Sequence, residues 1–362
     1  MRVTTTEGVV IERRGSAGMI RLNRPKALNS LTLPMVRAIA EAMIVFANDA
    51  GIASVIVVGE GERCFCAGGD IRLLHASGKA GTEEAATFWR EEFRLNHAIA
   101  HYPKPYVVLM DGITMGGGVG LSAHGSHRVV TERTRLAMPE TGIGYFPDVG
   151  ATWLLSHAPG EIGTWMGLTG LDIGAADAIA AGLADHYVLS EALPDLIEAI
   201  VAHPPTATPA DIHLTIAARA DEPDESRLIA NRTLIDRTFG HDRVEDILAA
   251  LAEEGVQFAE ESMQVMARRS PTSLKLTLRL LRAARTSASL AECLQRELGV
   301  GLQVLRNPDF YEGVRAAVID KDRNPKWSPA SLSEVPDSAI EGYLVPARPG
   351  LFDTYQKEEP LP

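Results

Sequence analysis

Cysteine is scarce in this 362-residue chain, which has only Cys64, Cys66 and Cys293. Three thiols make no disulfide framework, and Cys64 and Cys66, one residue apart, are too close for an unstrained bridge. No His or Cys stands at metal-ligand spacing beside them, which excludes a zinc site built on this pair. Reduced, buried thiols in a reducing compartment are expected. Long apolar runs are missing too: nothing reaches the roughly 18 residues a membrane span needs. The first fifteen residues lack the apolar core of a signal peptide, and Glu7 and Glu12 interrupt the acid-poor pattern of transit sequences. A cytoplasmic protein without a membrane partner is expected. Basic charge is in deficit, 35 Lys and Arg against 47 Asp and Glu for a net charge of -12. That balance argues against nucleic acid or an anionic membrane surface as partner, and leaves room for a small anionic ligand held by a few local cations. There is no internal repeat, coiled-coil heptad, P-loop or GxGxxG, and the ten histidines show no paired spacing.

What is present suits a large folded core. Hydrophobic residues make up 46%, ample for a sizeable α/β domain with an appendage, or for two domains. Gly8–Arg13 and Ala17–Leu22 read as a hairpin pair around Arg14-Gly15-Ser16. Leu33 to Asp49 spaces Met35, Val36, Ile39, Met43 and Phe46 along one helix face. Ser54–Gly59 and Pro105–Met110 are short apolar runs of the kind that form strands covered on both faces. Helical pattern at 87–100, a glycine-opened helix at 115–123 and a strand at 127–131 continue the alternation. Beyond about residue 160 the pattern is helical, at 163–182, 190–202, 226–239 and 244–254, and again from Ser270-Pro271 with proline at the first helical position. The simplest partition is a core at 1–205, a helical region at 206–330 and an irregular, proline-rich tail at 331–362.

Two glycine clusters follow apolar strands: Ala67-Gly68-Gly69-Asp70 and Gly116-Gly117-Gly118-Val119-Gly120. Glycine lets a ligand approach the backbone, and a helix start adds free N–H groups. Two such turns together could aim a pair of N–H groups at one oxygen and stabilise an oxyanion. Either cluster taken alone is equally readable as turn punctuation. Downstream, MPETGIGYFPDVGA carries two charged residues, Glu140 and Asp148, in an otherwise apolar and glycine-rich stretch. A carboxylate among apolar neighbours gains a raised pKa and can serve as base, nucleophile or acid near neutrality. The alternative is local capping, with Asp148 opening a helix at Val149.

The motifs Phe65–Ile71, Gly112–Gly120 and Pro139-Glu140-Thr141 together resemble the crotonase (enoyl-CoA hydratase/isomerase) superfamily. Within it the chain is similar to the 3-hydroxyisobutyryl-CoA hydrolase branch, through Phe88-Trp89-Arg90-Glu91-Glu92-Phe93, the stretch from Pro139 to Gly150, and Ser270–Lys275. Asp309–Ala316, Ile319–Asp322 and Pro325-Lys326-Trp327 extend the likeness, which runs from about residue 8 to 330.

The resemblance implies an α/β fold, a spiral of ββα units with a helical C-terminal region, and an acyl-CoA substrate. The thioester oxygen would lie between the N–H groups of Gly69 and Gly117, with Ala67, Gly68 and Asp70 along the adenine and pantetheine path. Hydratases of the superfamily carry a second glutamate at the position held here by Gly120, so hydration by two glutamates is disfavoured. Hydrolases of this type use the equivalents of Glu140 and Asp148, with Glu92 as a further polar residue that contacts the substrate. The implied reaction is hydrolysis of a short branched 3-hydroxyacyl-CoA. No metal and no cofactor beyond the coenzyme A of the substrate is expected. Relatives form trimers or hexamers, which leaves a homo-oligomer open. Hydration or isomerisation of an enoyl-CoA, and acyl-CoA binding without catalysis, are the competing readings.

Overall fold

The computed structural model describes residues 4–6 and 8–353. Glu7 and the last residues of the expected tail, 354–362, lie outside the described residues. Among the described residues there are ten strands: β1 (Thr4–Thr6), β2 (Val9–Arg14), β3 (Ala17–Leu22), β4 (Ser54–Gly59), β5 (Cys64–Cys66), β6 (Tyr106–Met110), β7 (Ile113–Met115), β8 (His127–Val130), β9 (Arg135–Ala137) and β10 (His186–Tyr187). Seven form a large sheet in the order β1-β2-β3-β4-β6-β8-β10, and β5-β7-β9 form a small one. The β1-β2-β3 hairpins are antiparallel, and every other pairing is parallel.

Parallel neighbours need a crossover, and helices supply it. The chain gives one strand to the large sheet, one to the small sheet, then a helix, and repeats. In this way β4 and β5 lead to α2 (Ile71–Ala80) and α3 (Glu84–Ala100), β6 and β7 to α4 (Gly117–Ser122), and β8 and β9 to α5 (Ala151–Ser156) and α6 (Ile162–Thr169). The α1 helix (Leu33–Asn48) joins β3 to β4 and buries the expected stripe of Met35, Val36, Ile39, Met43 and Phe46. The fold is thus α/β, a spiral of ββα units.

The remaining helices are α7 (Ala175–Ala180), α8 (Leu193–Val201), α9 (Pro209–Ala217), α10 (Arg227–Ala230), α11 (Arg232–Phe239), α12 (Val244–Glu254), α13 (Gln257–Met266), α14 (Pro271–Ala284), α15 (Leu290–Val304), α16 (Pro308–Val314) and α17 (Asp337–Glu341). The helix expected over 163–182 is broken in two. Gly170, at φ 60°, ends α6, and Ile173 then exchanges backbone hydrogen bonds of 2.9 and 2.8 Å with Leu136. Likewise 226–239 divides at Asn231. The α14 start is as expected: Ser270 Oγ accepts from the Ser273 N–H and Pro271 occupies the first turn.

Alternation along the central strands serves two cores. Val55 and Val57 face a large apolar cluster that runs from Val9 to Leu351. Ile56, Val107, Leu109 and Val129 face a smaller one covered by α8 and α9. The large cluster draws side chains from both sides of residue 205, because α14 packs on α5 and α6, α15 on α3 and α5, and α16 on α2. Among the described residues no helix is long and apolar enough to cross a membrane.

Candidate active site

The three strands of the small sheet run parallel, so their C-terminal ends lie side by side and each delivers a turn to the same place. After β5 come Ala67, Gly68 and Gly69; after β7, Gly116 and Gly117; after β9, Pro139 and Glu140. The crevice beyond the carboxyl ends of parallel strands is where α/β folds bind ligands. Gly68 (φ 99°) and Gly116 (φ 51°) occupy conformations that a side chain would strain. The two turns touch: a Cβ on Gly68 would stand 3.1 Å from the Gly117 nitrogen, and one on Gly117 would stand 3.3 Å from the Gly69 nitrogen. Among the described residues neither the Gly69 nor the Gly117 N–H donates to a backbone acceptor. Gly117 opens α4, so its N–H is one of the free donors of a helix start. Two adjacent free donors can stabilise one oxyanion.

Three carboxylates converge on this pair. Glu92 projects from α3, and its Oε1 lies only 2.4 Å from where a Gly117 Cβ would be; Glu140 Oε1 lies 3.0 Å from the corresponding point on Gly116. A side chain at Gly117 would push Glu92 aside, and one at Gly116 would crowd Glu140. Asp148 reaches the same 130 Å³ cavity, along with Ala67, Gly68, Gly69, Gly117, Tyr145 and Phe310. Glu92, Glu140 and Asp148 are 2%, 7% and 6% exposed, and none forms an ion pair among the described residues. Burial pushes all three pKa values well up. For Glu92 the charges of Asp148 and Glu140 add to burial; for Glu140, that of Asp148; for Asp148, that of Glu297. Arg269, tied to the Thr169 carbonyl by its Nε at 2.9 Å, pulls Glu140 the other way and is outweighed by burial. Among the described residues Glu92 Oε1 and Glu140 Oε2 have no hydrogen-bond partner. Leaving such a buried oxygen unpaired costs about 1–3 kcal/mol, which a substrate hydroxyl or a water can recover.

An aromatic shell closes the cavity. Tyr145 stacks on Trp89 at 5.4 Å and on Phe146 at 4.5 Å, and meets Phe310 at 5.8 Å. The Tyr145 hydroxyl lies beside Asp148, lowering its pKa, without completing a hydrogen bond of good geometry.

The expected site residues Ala67, Gly68, Gly69, Glu92, Gly117, Glu140 and Asp148 therefore meet in one place. Asp70 stands apart: its carboxylate pairs with Arg24 Nη2 at 3.1 Å and lines an adjoining 250 Å³ groove whose Leu74 and Phe88 also border the acid cavity. A larger groove of 480 Å³ between α1 and α3 contains none of the converging groups. Convergent donors and acids, not volume, mark the site. Among the described residues no cluster of three or more His, Cys, Asp or Glu is placed to hold a metal ion.

Several participants escaped the sequence reading. Phe310 comes from α16, more than 160 residues after Asp148. Glu297, wholly buried on α15, accepts from the Gly150 N–H at 2.7 Å, from the Thr152 N–H at 3.1 Å and from Thr152 Oγ1. One signal could have revealed it: Glu297 sits on the apolar stripe of α15 with Leu290, Leu294 and Leu298, where a charged residue needs a purpose.

A profile of the family described as enoyl-CoA hydratase/isomerase matches residues 17–344. Among curated relatives, a Xenopus tropicalis protein named "3-hydroxyisobutyryl-CoA hydrolase, mitochondrial" is 45% identical over 92% of this chain and 88% of its own length. Among solved structures, a carnitinyl-CoA dehydratase from Mycobacterium thermoresistibile is 44% identical with TM-score 0.91, covering 96% of this chain and 98% of that one. An enoyl-CoA hydratase from Rhodobacter sphaeroides is 41% identical with TM-score 0.87, covering 95% and 99%.

Proposed function

The chain belongs to the enoyl-CoA hydratase/isomerase family, and from that premise we propose that it hydrolyses a short branched 3-hydroxyacyl-CoA thioester, 3-hydroxyisobutyryl-CoA, to the free acid and coenzyme A. One observation carries the choice of reaction over the hydration suggested by the names of the two solved relatives. The place of a second hydratase glutamate, Gly120, is shut: a Cβ there would stand 2.7 Å from Val149 Cβ and 2.8 Å from Asn96 Nδ2. The acids that remain flank the free N–H pair, as acyl transfer to water requires.

In this reading the thioester oxygen lies between the Gly69 and Gly117 N–H groups, which take up the negative charge as the carbonyl carbon becomes tetrahedral. Glu140 either attacks that carbon to give a mixed anhydride, which water then hydrolyses, or takes a proton from the attacking water. On collapse the C–S bond breaks and the thiolate of coenzyme A leaves. Asp148, its pKa raised by burial, can pass a proton to the departing sulfur or share one with the substrate 3-hydroxyl. Glu92 contacts that hydroxyl or orders the water. Coenzyme A enters as part of the substrate, with no other cofactor. The buried thiols favour a reducing, cytoplasmic setting and the substrate a role in valine degradation; assembly into a homo-oligomer is compatible with all of this.

The test is thiol release from 3-hydroxyisobutyryl-CoA beside loss of enoyl absorbance with crotonyl-CoA. Thiol release should dominate. Glu140→Gln and Asp148→Asn should each lower kcat by about 10²-fold or more. Near-parental turnover in both variants, or rapid hydration without thiol release, would sink the assignment.

A further inference from the structure

Asp148 is followed by backbone that needs support. Val149 has φ 54°, a left-handed conformation rare for a β-branched residue, which persists only where the surroundings over-determine it. Two side chains, one half-buried and one fully buried, grip this turn from opposite ends. His124, just past the end of α4, places Nε2 2.8 Å from the Val149 carbonyl oxygen. Glu297, from α15, takes the Gly150 and Thr152 N–H groups and the Thr152 hydroxyl. Glu297 is 0% exposed, and among the described residues it forms no ion pair: Arg296, whose charge lowers its pKa, bonds instead to Ser287 and Glu292. A buried carboxylate without a counter-ion is expensive to keep, and α5, only six residues long, could have been started by a serine or threonine cap at far lower cost.

We propose that Glu297 is a positioning residue for the hydrolysis: its three hydrogen bonds lock the Val149–Thr152 backbone and thereby hold the Asp148 carboxyl at the wall of the catalytic cavity. This rests on the assignment of Asp148 above. Glu297 itself does not line the acid cavity. When ionised, Glu297 also raises the pKa of Asp148 and of Tyr145, on top of the larger effect of burial, so the same side chain bears on both the place and the protonation of Asp148. The other ionisable groups facing this turn are His124 across it and Arg296 and Cys293 on α15, with Glu92 and Glu140 beyond Asp148.

Glu297→Gln keeps the size of the side chain, removes the charge and offers an amide N–H where the backbone needs an acceptor. A displacement of the order of 1 Å at a reacting group can cost about 10²-fold. Folded Glu297→Gln should therefore lose about 10- to 100-fold in kcat with KM within about 3-fold. Its pH–rate limb due to Asp148 should move to lower pH, because a neighbouring negative charge has gone. In combination with Asp148→Asn it should cost little beyond Asp148→Asn alone, as expected of residues acting through one another. A parental kcat and pH profile in the folded variant, or losses that simply multiply in the double variant, would overturn the inference. If Glu297→Gln does not fold, Thr152→Val carries the test: loss of the single hydroxyl bond should lower kcat several-fold at constant KM, and an unchanged kcat overturns it. Failure of the assignment itself is distinguishable, since Asp148→Asn would then be as active as the parent.

Discussion

Replacing Gly117 with alanine adds one methyl group at the most crowded point of the site. The backbone tolerates it: Gly117 is the first residue of α4 and has no positive φ, and alanine is the better helix former by about 1 kcal/mol. The obstruction is local. The new carbon would stand 2.4 Å from Glu92 Oε1 and 3.3 Å from the Gly69 nitrogen. To restore ordinary contact near 3.4 Å, the Glu92 carboxylate must retreat by about 1 Å, a misplacement that can cost about 10²-fold. The methyl also leans on the gap between the two N–H donors, and loss of one such donor costs about 10²–10³-fold in kcat. Gly117→Ala should therefore show kcat lowered by at least about 10²-fold in a thiol-release assay, with far-ultraviolet circular dichroism and the urea midpoint close to parental. A folded Gly117→Ala protein within about 3-fold of parental kcat would refute the oxyanion reasoning.

Two further predictions concern stability. Burial pushes Glu297 up to about 7 from an ordinary value of 4.5, against the pull of its hydrogen bonds from Thr152 and Gly150 and of the Arg296 charge. A carboxyl whose folded pKa is raised contributes stability that is complete below its unfolded pKa and is lost as pH rises through the folded one. At about 1.4 kcal/mol per pH decade, Glu297 alone accounts for about 3 kcal/mol lost between about pH 4.5 and 7. His124, pushed down to about 4 by burial, acts in the opposite sense, so the measurable quantity is the difference between parent and Glu297→Gln. Urea unfolding across pH 5 to 8 should show the variant gaining on the parent as pH rises, and parallel curves would contradict this. Gly120→Ala forces a methyl into Val149 and Asn96; overpacking of that kind costs about 1–3 kcal/mol. A variant equal to the parent in unfolding free energy would mean the niche is open.

Much of this molecule was legible before its fold was known. The β4 and β6 strands announced themselves because strands covered on both faces must be nearly continuous apolar runs, β3 through the hairpin around Gly15, and α1 because its buried stripe repeats at helical spacing. The glycine turns and the Glu140–Asp148 stretch stood out because glycine and isolated acids are conspicuous in apolar sequence. The small sheet was hidden: strands of three residues, β5, β7 and β9, are too short to show a period. The α2 helix was hidden as well, since it buries only Leu74 and Ser77.

The sequence by itself determined which chemistry was on offer: free N–H groups at glycine turns, acids in apolar surroundings, and no glutamate at position 120. Those are properties of residue types and their immediate neighbours, which local sequence carries. Tertiary structure decided which of them meet. The parallel alignment of β5, β7 and β9 sets three loops from separate ββα turns edge to edge, and the return of α15 and α16 over α3, α5 and α2 brings Glu297 and Phe310 to a site begun some 230 residues earlier. Contacts that close loops of that length leave no periodic trace in the chain, because their register is set by the packing of whole helices rather than by any repeat in sequence.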